Sequence, residues 1–131
     1  MPSAQGNFHV PPAPGGGVSP PPEPRLPAAG RRTRYAYVGT GGRAKMFLDP
    51  VAQRFAATAE IVGLCDLSTV RAELHRDRLC REFGYARVPV YRPGDFDRLL
   101  AETRPDVVVV CTLDREHDTY IPAALRAGCD V

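Results

Sequence analysis

Between Arg34 and Ala44 the chain reads RYAYVGTGGRA, an apolar run that ends at Val38 and passes at once into a turn almost bare of side chains. Few folds call for this. A strand that stops at Gly39, Thr40, Gly41, Gly42 and Arg43 and continues in helical composition needs backbone that turns tightly and approaches something closely. Gly39 permits the turn. Gly41 removes a Cβ that would hold a ligand away from the backbone. Ala44, the third small residue of a G-x-G-x-x-A pattern, lets the helix lie close on the strand. Free N–H groups at the helix start, helped by the helix dipole, suit an anion such as a pyrophosphate.

The rest of the chain alternates regularly. Arg34–Val38 and Glu60–Cys65 read as strands. VPVY at 88–91 is a weak third strand, because Pro89 cannot donate to a ladder. Asp106–Cys111, DVVVVC, is apolar throughout, as a parallel strand covered on both faces must be. Between them lie helical stretches. Gly42–Ala57 is interrupted by Asp49-Pro50, which predicts a first turn over 42–48 and a kink or restart at Pro50, with Asp49 as N-cap. Thr69–Phe83 places Val70, Leu74 and Leu79 near one face, and Gly84 is the expected C-cap. Asp95–Thr103 and Glu116–Ala127 are the later helices, the last stopped by Gly128. The closing CDV begins what reads as a further strand. This order predicts an α/β fold of Rossmann type, a doubly wound parallel sheet of about four strands plus the start of a fifth, with right-handed crossovers.

Composition narrows the setting. Residues 1–32 hold most of the 14 prolines and little that packs, so they are expected to form a disordered Pro/Gly-rich tail ahead of a domain at 33–131. A net charge of +2 implies neither a nucleic-acid nor a membrane-surface partner. No apolar run approaches the length of a membrane span, and no basic-then-apolar leader is present, so a cytoplasmic location is expected. Cys65, Cys80, Cys111 and Cys129 form no C-x-x-C pair, which argues against a metal site.

Two further places carry chemistry. Asp66 follows the second strand, where a carboxylate can accept from both ribose hydroxyls of an adenosine and repel a 2′-phosphate, favouring NAD over NADP. Its other reading is a cap for the helix that follows. Ser68 has the same two readings, ribose contact or cap. Arg71 could reach a 2′-phosphate if Asp66 turned away. After the fourth strand, Cys111, Thr112, Leu113, Asp114 and His117 would line the route from pyrophosphate to nicotinamide, although His117 also reads as a surface histidine near a helix start. His75 reads as a residue on a charged helix and His9 as part of the tail. A nucleotide-sensing module without catalysis is the alternative. An adenosylmethionine-dependent methyltransferase is a third reading, weakened because that ligand has no phosphate for the turn to hold.

RYAYVGTGGRA, EIVGLCDLS and RPDVVVVCTLDREHDTYIPAALRAGCDV, in that order, resemble the N-terminal domain of the glucose–fructose oxidoreductase and inositol dehydrogenase family, Gfo/Idh/MocA, over about residues 34–131. The resemblance implies NAD or NADP as cofactor and oxidation of a secondary alcohol on a sugar or polyol. It places Gly39, Thr40, Gly41, Gly42 and Arg43 on the pyrophosphate and Asp66 on the ribose. It sets Thr112 to His117 beside the nicotinamide, with Leu113 and Asp114 standing where the family has proline and asparagine. The family's E-K-P motif, whose lysine assists catalysis, and its substrate domain would follow Val131. The expectation is therefore a cofactor half that is inactive alone, with no catalytic residue of its own, belonging to a longer and homo-oligomeric protein.

Overall fold

In a computed structural model, residues 29–131 are described; the predicted Pro-rich tail lies outside them up to residue 28. The strands β1 (Thr33–Val38), β2 (Ala59–Cys65), β3 (Val90–Tyr91) and β4 (Val107–Val110) form one parallel sheet in the order β3-β2-β1-β4. Four helices connect or follow them: α1 (Gly42–Ala52), α2 (Thr69–Phe83), α3 (Phe96–Thr103) and α4 (His117–Arg126). The chain runs outward from β1 to β3 and then returns to the other side of β1. Order therefore reverses between β1 and β4, the place where a doubly wound sheet opens a crevice at its strand ends.

The two faces bury separate cores because side chains alternate along each strand. Tyr37 of β1 packs with Ala44 and Leu48 of α1, Ile61 and Leu64 of β2, and Ala72 and Leu79 of α2. Ala36 and Val38 face the other way, onto Phe96 and Leu99 of α3, Val108 of β4, and Tyr120 and Ala124 of α4. The rings of Phe96 and Tyr120 meet edge to face at 5.1 Å and join α3 to α4. In β2 the pairing with β1 slips after Ile61, so that Gly63 lies opposite Ala36. That bulge lets Ile61 and Leu64 point into the same core.

Several expectations change. Pro50 does not restart the first helix: α1 runs through it, and Asp49 is a helix residue, not a cap. Leu48, Val51 and Ala52 are buried around the proline, and Asp49 accepts from Lys45 and, at 2.5 Å, from Arg78 of α2. Burial and a cross-helix ion pair outweigh the lost backbone bond. In α2 the buried side is Ala72 and Leu79, whereas Val70 and Leu74 are exposed. Ser68 and the left-handed Gly84 cap its ends, Gly84 as predicted. The third strand shrinks to two residues, and a 3-10 turn at Pro93–Asp95 precedes α3. Asp130 bridges to Val107 in parallel, so β4 has a strand-like neighbour on its outer side. Arg31 and Arg32, assigned to the tail, pair with Asp106 and Glu60, each at 2.8 Å. Among the described residues, no helix is long and apolar enough to cross a membrane.

Gly63 is the point where α3 lies directly on β2. A Cβ there would stand 3.4 Å from both the Leu99 and Thr103 side chains, an ordinary contact, with no room beyond it. Gly63→Ala is expected to leave stability nearly unchanged. Gly63→Val is expected to cost about 1–3 kcal/mol through overpacking. Urea unfolding of the three proteins checks this, and equal midpoints would show that α3 does not lie on Gly63.

Candidate functional site

Gly39 leaves β1 with φ +83°, and its amide donates to the Cys65 carbonyl at 2.8 Å. A Cβ on Gly39 would lie 2.6 Å from the carbonyl carbon and oxygen of Cys111. The turn after β1 therefore rests on the chain leaving β4, and only glycine allows it. Gly41 and Gly42 differ: a Cβ on either would meet nothing within 4 Å. Gly41 is the N-cap of α1, with no side chain capping it. The outer face of the turn is thus bare backbone at an uncapped helix start, with open space above it.

Thr40, between these glycines, points inward and is 1% exposed. Its amide and its hydroxyl both donate to Asp66 Oδ2, at 2.7 and 2.6 Å. Asp66 Oδ1 accepts from the Ser68 amide at 2.7 Å and from Arg71 Nη2 at 2.9 Å. The carboxylate, 3% exposed, thus has donors at about all four of its lone-pair positions. Burial alone would push the Asp66 carboxyl up, but the donors from Thr40, Ser68 and Arg71 outweigh it and hold the group below its usual range. Asp66 fastens the glycine turn to the end of β2. Of its donors only Arg71 is a long side chain open to solvent. The Ser68 hydroxyl accepts from the Arg71 amide at 3.4 Å, so in this structure Ser68 is the cap of α2.

Cys111 and Thr112 lie half-buried against Gly39, while Leu113 and Asp114 are exposed at the rim. A 3-10 turn at Asp114–Glu116 leads into α4, and His117 at its start sets Nε2 3.3 Å from the Thr112 carbonyl. Burial raises the Cys111 thiol and the nearby Arg43 guanidinium partly offsets it. Cys65 is pushed up to about 12, first by burial, then by Asp66 and Asp95. Neither thiol is poised to act as a nucleophile. The structure brings these residues to one rim, and it buries Nδ1 of His75, which the sequence reads as a residue on a charged helix. The Thr40 backbone of the glycine turn bears on that ring. The signal was available: Ala72, His75 and Leu79 follow helical spacing on one face.

These residues fit a dinucleotide. The turn offers anion-binding backbone with clearance for a pyrophosphate, an acid ends β2, and the β4 rim adjoins both. The Asp66 bonds also make a prediction independent of any ligand. With its folded pKa below the unfolded value near 3.9, the carboxylate stabilises the fold above about pH 4, and this is lost as pH falls through the folded pKa. Asp66→Asn is expected to be less stable than wild type at pH 7 by about 1–3 kcal/mol, with the gap closing in acid. Thermal unfolding followed from pH 3 to 7 checks it; a gap that does not vary with pH would contradict the assigned bonds.

A sequence model of the oxidoreductase family with an NAD-binding Rossmann fold, Gfo/Idh/MocA, matches residues 33–131. The chain is 31% identical over 96 residues to YteT of Bacillus subtilis (strain 168), covering 72% of this chain and 22% of that protein. It is 34% identical over 102 residues to glycosyl hydrolase family 109 protein 1 of Akkermansia muciniphila, covering 76% and 19%. The chain thus spans about a fifth of the length of these curated relatives. Among solved structures, the WlbA dehydrogenase of Chromobacterium violaceum in complex with NADH and UDP-GlcNAcA aligns with a TM-score of 0.62 at 24% identity, over 86% of this chain and 28% of that one, a likeness of fold. The glycine turn, the acid after β2 and the match over the whole described sheet lead to one conclusion: the chain belongs to the Gfo/Idh/MocA family and is an NAD-binding oxidoreductase domain of Rossmann type.

Proposed function

We propose that this domain holds NAD in preference to NADP, for a protein that oxidises a secondary alcohol of a sugar or polyol. The observation that carries the reading is the bare, uncapped turn at Gly41 and Gly42 beside the β4 rim, at the point where strand order reverses. In this reading the amides of Gly41, Gly42 and Arg43 hold the pyrophosphate, with Gly39 and Thr40 fixing the turn beneath it. Asp66 accepts from the adenosine ribose, and Ser68 keeps the start of α2 in place beside it. Accepting a ribose hydroxyl requires Asp66 Oδ1 to release a donor, and Arg71, exposed and flexible, is the one that leaves most easily. Cys111, Thr112, Leu113, Asp114 and His117 border the nicotinamide end. When bound, the dinucleotide supplies a hydride acceptor, the redox chemistry that no side chain here provides. The name of the Akkermansia relative and the sugar nucleotide bound to WlbA support a carbohydrate substrate.

Calorimetric titration of the chain tests the cofactor assignment. NAD is expected to bind at least about tenfold more tightly than NADP, a difference of about 1.4 kcal/mol, because Asp66 opposes a 2′-phosphate. Equal affinity, or preference for NADP, would mean that Arg71 and not Asp66 reads the ribose.

Gly41→Val separates a ligand-holding turn from a purely structural one. A Cβ there meets no protein atom within 4 Å, so the fold is expected to survive a branched side chain. Circular dichroism should match wild type while NAD binding disappears. Retained binding would remove the pyrophosphate from this turn.

A further inference from the structure

His75 sits on the inward stripe of α2, between Ala72 and Leu79. Its Nδ1 is buried and is the one buried side-chain nitrogen or oxygen without a hydrogen-bond partner among the described residues. An orphaned ring nitrogen of this kind calls for an explanation. The groups around it come from three elements. α1 contributes Lys45 and Asp49, α2 contributes Arg78, and the glycine turn contributes the Thr40 carbonyl. Arg78 and Asp49 are themselves bonded at 2.5 Å, so the ring lies at a charged seam between α1 and α2.

The Thr40 residue is held firmly from one side. Its amide and hydroxyl are fastened to Asp66. Its carbonyl faces His75 and belongs to the same peptide unit as the Gly41 amide, which opens toward the proposed pyrophosphate. Whatever grips that carbonyl orients and polarises the amide on the other side. We propose that His75 is a positioning residue for the glycine turn, which takes up a proton when a dinucleotide binds and in that form grips the Thr40–Gly41 peptide from behind. This rests on the cofactor reading above and adds a regulation of it by pH.

The sign follows from the surroundings. Without ligand, burial first and then Arg78 and Lys45 lower the His75 pKa, against the opposing Thr40 carbonyl and Asp49. The ring is neutral at pH 7, and the free protein loses stability as pH falls below about 6.5, where the unfolded chain binds the proton more readily. A pyrophosphate brings negative charge to the other side of the peptide and raises the His75 pKa. The complex then binds more proton than the free protein, so affinity rises as pH falls through the interval between the bound and free values.

The experiment is calorimetric titration of the full chain with NAD from pH 5.5 to 8.5, in buffers of different ionisation heat, for wild type and His75→Gln. Wild type is expected to take up a fraction of a proton and to bind about three- to tenfold more tightly at the acid end of the range. His75→Gln is expected to lose that slope and that uptake. Imidazole NMR of the wild type needs no variant: the His75 resonance should titrate below the usual value and move upward when NAD is added. An unchanged pH profile in His75→Gln, or a His75 titration indifferent to NAD, overturns the proposal and leaves the cofactor reading intact. Failure of wild type to bind NAD at any pH overturns both.

Discussion

A carboxylate buried at a strand end must be given donors or it will not stay charged, and here the donors come from another strand. Asp66 closes β2, yet two of its bonds arrive from Thr40, in the turn that closes β1. The others come from the first residues around α2. One ion therefore registers the ends of two strands, the start of a helix and the curvature of the glycine turn. The price in desolvation is repaid only while all these donors are in place, so the geometry of the turn and the charge of Asp66 are not independent. A turn whose inner side is fixed this firmly can leave its outer side with no side chains at all. That is what an anion-binding backbone requires.

The second constraint is steric. Gly39 is pressed against the carbonyl of Cys111 with a left-handed φ, so the exits of β1 and β4 touch at the topological switch. The crevice there is shaped by backbone against backbone. Its walls cannot shift with side-chain rotamers, and the polar residues on the rim, Asp114 and His117, are presented on short turns anchored to that contact.

Much of this was legible in the residues. β-branched runs, glycine and proline punctuation and the 22-residue interval between Ala44 and Asp66 carry local information, and local information decides strand and helix. What escaped was decided by partners distant in sequence. Pro50 reads as a break until Arg78, from the next helix, binds Asp49 beside it. Val70 and Leu74 share an apolar face with Leu79, but periodicity does not reveal which edge of a face meets the sheet; Leu79 is buried there beside the small Ala72, and Val70 and Leu74 are exposed. The acid after β2 was found, but its fastening to Thr40 was not, because a spacing of 26 residues says nothing about hydrogen bonds. His75 reads as a residue of a charged helix because the charges around it in sequence do not reveal that its Nδ1 is buried.

The opposite end of the sheet explains how the ligand end can stay so bare. At the strand starts, Asp106 accepts from Arg31 and from the Arg34 amide, both at 2.8 Å. The Arg34 guanidinium reaches the Thr103 carbonyl at 2.7 Å and Glu60 at 3.1 Å. A single planar fork on β1 thus braces β2 and the C-terminal end of α3, where exposed carbonyls favour a cation. These pairs are partly shielded from solvent, which gives them more weight than surface ion pairs. Registration of the strands is secured there and through the two cores, far from the turn. The ligand end is then free to spend its backbone amides on a partner instead of on the fold.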